Sequence, residues 1–400
     1  MFEICVMRRI TADMIFDGKQ LHQNAMVLLL HDDGRIANLV PAAEAGGDVE
    51  YFKGLLMPGM VNAHCHLELS HMRGVIPLHT GMVPFLVQVS RQRKVEQGAV
   101  QQAMRDAIAE LENSGVVAVG DICNTADSIS VKAASNIRWH NFIEVFASDG
   151  RMAAERMNTA LQVQQQFRTA VPQYPATVTP HAPYSISPPL LTLLQEAIGD
   201  AVATMHNQES AAENELFMQG SGDFLQLYQQ LNNQIDPFWP SGKSSLQSWL
   251  PSLPKPKRLI LVHNVHISEE DIHFAQQHAA QYQQQHYYCM CIRANQYIQN
   301  EVPPIDLLRD RECMIVIGTD SLASNHSLDM LHELQALQLA FGKQVTLEEL
   351  LRWATFNGAA ALDMDTSLGS FEPGKQPGIM LMQQLQDHAI VSETTIQRIV

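Results

Sequence analysis

Short apolar runs alternate with stretches of helical periodicity through most of the chain. In one such stretch apolar side chains recur every four positions, at Val100, Met104 and Ile108, and Gly115 ends the helix that this spacing predicts. Strands and helices that alternate in this way build parallel sheets, because parallel neighbours need a crossover connection. The apolar runs predict eight strands, at residues 54–61, 116–121, 141–146, 176–181, 201–206, 258–263, 286–291 and 313–320.

Successive strand–helix units predict an α/β fold, a closed (β/α)8 TIM-like barrel over residues 54–364 with its active site at the carboxyl ends of the strands. The alternative is a doubly wound open sheet, but no Gly-x-Gly-x-x-Gly follows a predicted strand. Residues 1–53 and 365–400 consist instead of short strands and turns, such as a strand at 26–30. We expect the two ends together to form one small β-sandwich domain.

The segment 220–257 follows the fifth predicted strand and breaks the regular alternation. It lacks a clear period and is rich in Gly, Ser, Pro and Gln. Long connections near the strand ends of a barrel often cover the site. We predict a lid-like insertion here, with a surface excursion of no functional role as the alternative.

Composition limits the partners and the compartment. Of 400 residues 46% are hydrophobic, and the net charge is -16 with a pI near 5.4, which supports a large core and argues against a nucleic-acid surface. No apolar stretch approaches the ~20 residues of a membrane span, and residues 1–9 lack the pattern of a signal peptide. The cysteines form no Cys-x-x-Cys pair, as suits a reducing compartment. We therefore expect a cytoplasmic protein with no membrane and no nucleic-acid partner.

Polar, titratable side chains stand where most of the predicted strands end. His64 and His66 follow the first apolar run, and they point the same way because side chains alternate faces along a strand. The later strand ends carry Glu144, His181, His206 with Glu209 just beyond it, His263 and Asp320. In a closed barrel all of these side chains lie at the same end, where the strands have their carboxyl ends.

Three neutral imidazoles and one carboxylate suit a single divalent cation whose shell is completed by water. The ligands that we predict are His64, His66, His206 and Asp320. A cation in such a site lowers the pKa of its water to about 7. Glu209 is then placed to move a proton from the water to the substrate or leaving group. Asp320 is placed to accept that proton as well, and His263 to hydrogen-bond the water and polarise the attacked centre.

Several of these side chains also have a purely structural interpretation. The alternative for His181 and His263 is a hydrogen-bonded histidine of the core, since most buried polar groups are simply paired. Glu68 and Glu144 are either substrate contacts or internal hydrogen-bond partners. The sequence leaves both interpretations open.

With these residues assembled, the chain resembles the amidohydrolase superfamily, and within it the branch of single-metal deaminases and chlorohydrolases. The motifs that carry the resemblance are PGMVNAHCH at 58–66, PHAPY at 180–184, HNQE at 206–209, LVHN at 261–264 and GTDS at 318–321. The resemblance implies one divalent metal per chain, Zn²⁺ or alternatively Fe²⁺, and hydrolytic attack on an amino-bearing carbon of a heterocycle. Two-metal barrels often need a bridging lysine at the end of the fourth strand, where this chain has His181, so one metal is favoured.

Within that branch, HLELS at 66–70 and HAPYS at 181–185 are most similar to deaminases of adenine-containing nucleosides such as the aminodeoxyfutalosine deaminases. The resemblance assigns contacts with the sugar and the base to Glu68 and His181. It assigns further substrate contacts to Glu144, Arg293 and Asn295. The last two lie in CIRAN at 291–295, where the family has Cys-Pro-Arg-x-Asn.

The resemblance therefore implies hydrolytic replacement of an exocyclic amino group by oxygen, with release of ammonia, on an adenosine-like or aminodeoxyfutalosine-like nucleoside. Three alternatives stay open: a chlorohydrolase, a deaminase of another ring such as guanine, pterin, triazine or cytosine, and a non-catalytic barrel that binds a heterocycle. The third is disfavoured by the complete ligand set together with Glu209. Members of the family are often dimers, so the resemblance also leaves a homodimer open.

Overall fold

The structure is a computed structural model that describes residues 8–23, 25–233, 235, 240–253 and 255–400. Cys5, the start of the N-terminal pattern and parts of the predicted insertion lie outside these residues. Within the described part of the chain the remaining cysteines are free thiols. No helix described there combines the length and the apolar character that a membrane crossing requires.

The strands follow the predicted apolar runs. In chain order they are β1 (Arg8–Phe16), β2 (Leu21–His22), β3 (Met26–Leu30), β4 (Ile36–Pro41), β5 (Glu50–Pro58), β6 (Met60–Cys65), β7 (Val116–Cys123), β8 (Arg138–Val145), β9 (Ala176–Pro180), β10 (Ala203–Asn207), β11 (Arg258–His263), β12 (Gln285–Met290), β13 (Met314–Ile317), β14 (Ile379–Gln383) and β15 (Thr395–Arg398). Strands β6 to β13 correspond to the eight predicted runs.

Helices connect most of these strands. They are α1 (Ala42–Ala45), α2 (Met82–Gln92), α3 (Gln97–Asn113), α4 (Ile129–Ala133), α5 (Ala153–Ala170), α6 (Pro188–Ile198), α7 (Ala211–Gln219), α8 (Asp223–Gln230), α9 (Ser245–Trp249), α10 (Glu269–Tyr282), α11 (Ile292–Gln299), α12 (Ile305–Asp310), α13 (Met330–Phe341), α14 (Leu347–Arg352) and α15 (Gly358–Ala361). Short 3₁₀ turns and one π-helical turn, Trp353–Asn357, complete the set. The helix predicted around Met104 is α3, and it ends before Gly115, whose φ of 80° suits glycine.

The first predicted strand is divided between two strands. The run 54–61 ends β5 and begins β6, and Gly59 lies between them. A Cβ atom at Gly59 would lie 2.3 Å from Val117 Cγ1, so this close approach requires glycine. The Gly59 N–H donates to the Pro377 carbonyl at 3.1 Å rather than to a continued strand ladder.

Two four-stranded sheets carry the predicted site, with the orders β6-β7-β8-β9 and β10-β11-β12-β13. They meet at both edges. The His206 N–H donates to the His181 carbonyl at 3.0 Å, and at the other edge Cys65 forms a parallel bridge with Asp320. Strand pairs such as β8–β9 and β10–β11 are parallel. The fold is therefore α/β with parallel sheets, as predicted, and its edge contacts are consistent with a closed (β/α)8 TIM-like barrel.

Strands from both ends of the chain form a third, seven-stranded sheet. Its order is β15-β14-β5-β1-β3-β4, with β2 paired to β1. Strand β5 pairs in parallel with β1 and antiparallel with β14, and Ile10, Leu28 and Leu381 belong to its apolar core. The β-sandwich domain predicted for the two chain ends, with its limits at 53 and 365, stays a prediction.

The chain forms two compact units. The first consists of residues 1–63, 109–118 and 329–400, and the second of residues 64–108 and 119–328. Every residue that we predicted to bind metal or substrate belongs to the second unit. The site can therefore be described within that unit alone.

Candidate active site

The four predicted metal ligands converge. The Nε2 atoms of His64 and His66 are 3.1 Å apart, and Nε2 of His206 lies 3.3 Å from that of His66. Asp320 Oδ1 lies 3.3 Å from His66 Nε2 and 3.5 Å from His64 Nε2. All four donor atoms lie within 4.8 Å of one another. Three imidazole nitrogens and one carboxylate oxygen at such spacing are a donor set that fits Zn²⁺.

The surroundings keep the imidazoles in the form that binds metal. Burial, reinforced by the neighbouring His64, lowers the pKa of His206 well below its usual value, and burial also lowers the pKa of His66. Both rings are therefore neutral near pH 7. The Nδ1 of His206 lies 2.8 Å from the His181 carbonyl oxygen, which fixes the proton on Nδ1 and leaves the Nε2 lone pair facing the other donors.

Asp320 is held as an anion by its neighbours. Burial alone raises the pKa of this carboxyl, but a hydrogen bond to His64 and the proximity of His66 outweigh burial and place the pKa well below its usual range. Its Oδ2 accepts the hydroxyl proton of Ser324, so Oδ1 is the oxygen directed at the histidines. The Asp320 N–H donates to the His64 carbonyl at 3.1 Å and so ties the last strand end to the first.

Glu209 and His263 face each other beside this group. Glu209 Oε1 lies 3.4 Å from His263 Nε2, and both side chains are buried. Burial, with a further contribution from Asp320, raises the pKa of Glu209 well above its usual value. Burial lowers the pKa of His263 to about 3. The pair therefore consists of a carboxyl that retains a proton readily and a neutral imidazole, which are groups suited to proton transfer.

Four residues at these strand ends adopt left-handed backbone conformations. The φ angles are 47° at Gln208, 76° at His263, 58° at Asn264 and 58° at Asp320. Such conformations cost non-glycine residues about 1–3 kcal/mol each, so the surrounding contacts have to hold them. The Gln208 N–H, for example, donates to Glu213 Oε1 at 2.9 Å. Each strained residue is next to, or is itself, a candidate site residue.

A cavity of about 620 Å³ opens onto the group. Its walls include His66, His181, His206, Glu209, His263 and Asp320. Apolar side chains from α2 and α8, among them Phe85 and Leu227, form another part of the wall, and the rings of Phe146 and Tyr184 lie edge-on to His181 at 5.8 Å. The cavity thus combines a titratable part with an aromatic and aliphatic part, as sites for heterocyclic ligands commonly do.

The two acidic candidates Glu68 and Glu144 differ in their surroundings. Glu68 accepts the backbone N–H groups of Asn124 and Thr125, at 3.1 and 3.0 Å, and it does not line the cavity. Burial raises its pKa to about 7. Glu144 lines the cavity, and its Oε2 accepts Asn124 Nδ2–H at 2.9 Å. Its Oε1 is buried without a hydrogen-bond partner among the described residues.

The remaining predicted contacts are also divided. His181 lines the cavity, and its Nδ1 lies 2.8 Å from the Ser185 hydroxyl. Asn295 is fully buried, and its Nδ2 lies 3.1 Å from His263 Nδ1, so it contacts a candidate catalytic ring rather than the cavity wall. Arg293 donates to the Ser327 hydroxyl at 2.7 Å and likewise does not line the cavity.

The sequence interpretation overlooked Asn124 and Phe146. Both follow the carboxyl end of a barrel strand, β7 and β8 respectively, and both line the cavity. The same strand-end criterion that selected the histidines includes these positions. Because the sequence interpretation selects titratable groups alone, it does not include the amide of Asn124 or the ring of Phe146.

The donor set could hold a divalent metal ion, and the chain belongs to the amidohydrolase family, whose sequence profile matches residues 55–397. An aminodeoxyfutalosine deaminase of a Nitratiruptor species is 28% identical over 338 residues, which are 82% of this chain and 78% of the relative. The crystal structure of Helicobacter pylori aminofutalosine deaminase in complex with methylthio-coformycin has a TM-score of 0.80 at 20% identity, over 95% of this chain and 93% of the other.

An adenosine deaminase from Xanthomonas campestris, solved with bound zinc, is also similar in fold. Its TM-score is 0.72 at 22% identity, over 94% of this chain and 84% of the other. At these identities the two structures support the shared fold. The family resemblance found in the sequence motifs is thus confirmed.

Proposed function

We propose that the protein is a metal-dependent hydrolase that replaces the exocyclic amino group of an adenine-containing nucleoside by oxygen and releases ammonia. One observation carries the proposal. The donor atoms of His64, His66, His206 and Asp320 lie within 4.8 Å of one another beside the Glu209–His263 pair, in a cavity that has room for a nucleoside. The names of the similar deaminases agree with this chemistry.

A single divalent cation, Zn²⁺ in the first place and Fe²⁺ as the alternative, would be held by those four residues and would supply an activated water and charge stabilisation when bound. In the reaction the water oxygen forms a bond to the amino-bearing carbon, the carbon–nitrogen bond breaks, and the amino group leaves as ammonia. Glu209 moves the water proton through its Oε1 to the substrate and then to the leaving nitrogen. His263 donates from Nε2 to the oxygen that gains charge.

The rest of the cavity binds the nucleoside. Glu144 Oε1, buried and without a hydrogen-bond partner in the described part of the chain, accepts a hydrogen bond from a hydroxyl or amino group of the substrate. His181 contacts the base, and the exposed ring of Phe146 stacks against it. Arg156 lines the cavity and is exposed, so it favours a substrate whose far end is polar or anionic.

Glu68, Arg293 and Asn295 enter the proposal as supporting residues. Glu68 fixes the backbone of Asn124, whose amide orients Glu144. Asn295 orients the His263 ring, and Arg293, on the same helix α11, donates to the Ser327 hydroxyl. We also propose one cation per chain, a cytoplasmic location, a β-sandwich domain formed by residues 1–53 and 365–400, and a barrel domain formed by residues 54–364. The molar mass of the protein, measured by light scattering as it elutes from a size-exclusion column, tests for a homodimer.

The direct test is a substrate panel assayed for both ammonia and chloride. Adenosine, methylthioadenosine and aminodeoxyfutalosine are compared with guanine, a pterin, cytosine and a chlorinated triazine, using protein whose metal content has been measured. We expect about one metal per chain, by analogy with other single-metal hydrolytic sites, and ammonia from the adenine nucleosides. Chloride from the triazine with no ammonia from any nucleoside would instead identify a chlorohydrolase.

Replacement of Glu209 by Gln tests the proton transfer. The amide keeps the size of the side chain but cannot move a proton, so we expect kcat to fall about 10²- to 10⁴-fold while metal content is retained. Glu215→Gln, a change on helix α7 that alters no residue of the cavity, is the matched control. Near-normal turnover of the Glu209 variant would remove this residue from the mechanism.

A further inference from the structure

A buried ion pair lies beneath the candidate ligands and takes no part in the proposed reaction. Lys132 of α4 places its Nζ 2.6 Å from Asp121 Oδ2 on β7, and both side chains are fully buried. The ammonium also donates to Asn141 Oδ1 at 2.8 Å and to Cys123 Sγ at 3.2 Å. The pair thus joins two strands of the barrel sheet to the helix between them.

The surroundings exclude a chemical role for Lys132. Its three N–H donors are all used, and the rings of Trp139 and Phe167 lie 5.0 and 5.1 Å from Nζ. Burial alone lowers the pKa of Lys132, but the Asp121 carboxylate outweighs it and raises the pKa. A fully protonated, enclosed amine is neither a nucleophile nor a base.

A charge pair removed from water in this way seldom adds stability compared with apolar residues of the same size. The pair has a further consequence, which lies at the second carboxylate oxygen. Asp121 Oδ1 accepts the backbone N–H of Leu67 at 2.8 Å. Leu67 directly follows His66 and begins the 3₁₀ turn Leu67–Met72, so its N–H has no acceptor within the turn.

This hydrogen bond acts at the point where the chain leaves the ligand strand. Strand β6 ends at Cys65, and His66 already has a non-strand backbone, with φ −121° and ψ 79°. The orientation of the His66 ring relative to His64 therefore depends on how the next peptide is held. Outer contacts of this kind fix the orientation of metal-binding imidazoles.

We infer that Asp121, itself held by Lys132, is a positioning residue that fixes the peptide after His66 and thereby the geometry of the His64–His66 ligand pair. This inference rests on the proposed function, because it concerns ligands of the proposed metal. Lys132 serves only to keep the carboxylate buried and directed at Leu67. The necessary feature is an acceptor oxygen at position 121, and the charge is secondary.

Two double variants separate the acceptor from the charge. Asp121→Asn with Lys132→Met removes the ion pair but keeps an oxygen that accepts the Leu67 N–H. Asp121→Leu with Lys132→Met has nearly the same shape but no acceptor. Both lose the donor to Asn141, so that loss cancels in the comparison. Leu308→Ala, a fully buried position of α12 outside the site, serves as a control for general loss of stability.

Zinc affinity is measured by competition with a chelator, alongside the thermal midpoint of the metal-free proteins. We expect the Asn/Met variant and Leu308→Ala to bind zinc within about threefold of the unmodified protein, and the Leu/Met variant about 10- to 100-fold more weakly. Equal zinc affinity of the two double variants overturns the inference, even if the thermal midpoints of both are lowered. Failure of the unmodified protein to bind zinc overturns the proposed metal site and the inference together.

If the Leu/Met variant does not fold, Asp121→Thr with Lys132→Met takes its place, because its shorter side chain withdraws the acceptor and adds only one methyl group. The expected order of affinities is unchanged. If the Thr/Met variant binds zinc as tightly as the Asn/Met variant, the inference is overturned in the same way.

Discussion

Helices α8 and α9 belong to the same inserted segment, 220–257, yet they support the site in opposite ways. Helix α8 is an apolar wall. Its Phe224 and Leu227 pack in a cluster with Met82 and Phe85 of α2, and Leu227 also lines the cavity. A change in this helix therefore alters the space that a substrate occupies.

Helix α9 lies against polar groups instead. The indole N–H of Trp249 donates to Asn207 Oδ1 at 3.1 Å, and the Asn207 amide donates to Asn264 Oδ1 at 3.1 Å. These two asparagines directly follow His206 and His263 in the chain. Asp271 of α10 accepts Gln208 Nε2–H at 2.8 Å and Gln247 Nε2–H at 3.0 Å, so it joins the same network.

One segment with no regular period thus makes two kinds of contact with the site. We expect the α8 part to influence which molecules fit the cavity, and the α9 part to influence how accurately Glu209 and His263 are held. That the segment 220–257 is a lid-like insertion stays a prediction. Three of the five residues of α9 are buried, and its Trp249 bonds to the buried Asn207, as in a fixed support.

The largest expected effect is that of Leu227→Ala, which removes the isopropyl end of a side chain from the α8 wall. We expect the free energy of unfolding to fall by about 2–4 kcal/mol and KM for the nucleoside to rise about tenfold, with kcat nearly unchanged. Denaturant unfolding and steady-state kinetics measure both quantities. A fall in kcat with constant KM would contradict the assignment of α8 to substrate binding.

The α9 side of the comparison contains a titrating group, Glu213 of α7. Burial raises its pKa to about 7, against hydrogen bonds from Ser245 and from the Gln208 N–H that lower it. Its contribution to stability is therefore complete below pH 4.5 and is lost as the pH rises to about 7. We expect Glu213→Gln to gain up to about 3 kcal/mol relative to the unmodified protein between about pH 4.5 and pH 7.5.

Denaturant unfolding of the two proteins across that pH range measures the difference. Subtraction removes the contribution of every other titrating group. A difference that does not change with pH would mean that Glu213 is ionised in the folded protein throughout.

The smallest effect on stability is expected for Trp249→Phe, which keeps the ring packing of α9 but leaves Asn207 Oδ1 without its donor. We expect a loss of about 1–2 kcal/mol in the free energy of unfolding. Because the support of Glu209 and His263 is weakened, kcat should fall about tenfold while KM stays within twofold.

Trp353→Phe is the matched control for this change, since Trp353 is buried to a similar degree but belongs to the other compact unit. It should lower stability slightly and leave kcat unchanged. If Trp249→Phe raises KM as Leu227→Ala does, the two halves of the segment do not differ in function.

Much of the fold was predictable because it depends on local pattern. The apolar runs located the strands to within a few residues, and the polar residues at their ends identified the convergent group. The exception, the division at Gly59, depends on the approach of Val117 from a distant part of the chain. Sequence periodicity carries no information about such an approach.

The site was less predictable where side-chain direction decides the role. Glu68 and Glu144 received the same interpretation from the sequence, yet one accepts the backbone N–H groups of Asn124 and Thr125 and the other lines the cavity. The link from Trp249 to Asn207 spans 42 residues and joins an irregular segment to a strand end. Neither spacing nor residue type predicts which distant amide a buried indole will meet.

The left-handed residues Gln208, His263 and Asp320 limit how this chain can be engineered. Proline and β-branched replacements, which are common choices for raising heat tolerance, do not suit a positive φ angle. Glycine would relieve the local strain, but it would also loosen the very turns that hold the reacting groups. Substitutions intended to raise thermal stability are better placed on the solvent-facing sides of the outer helices.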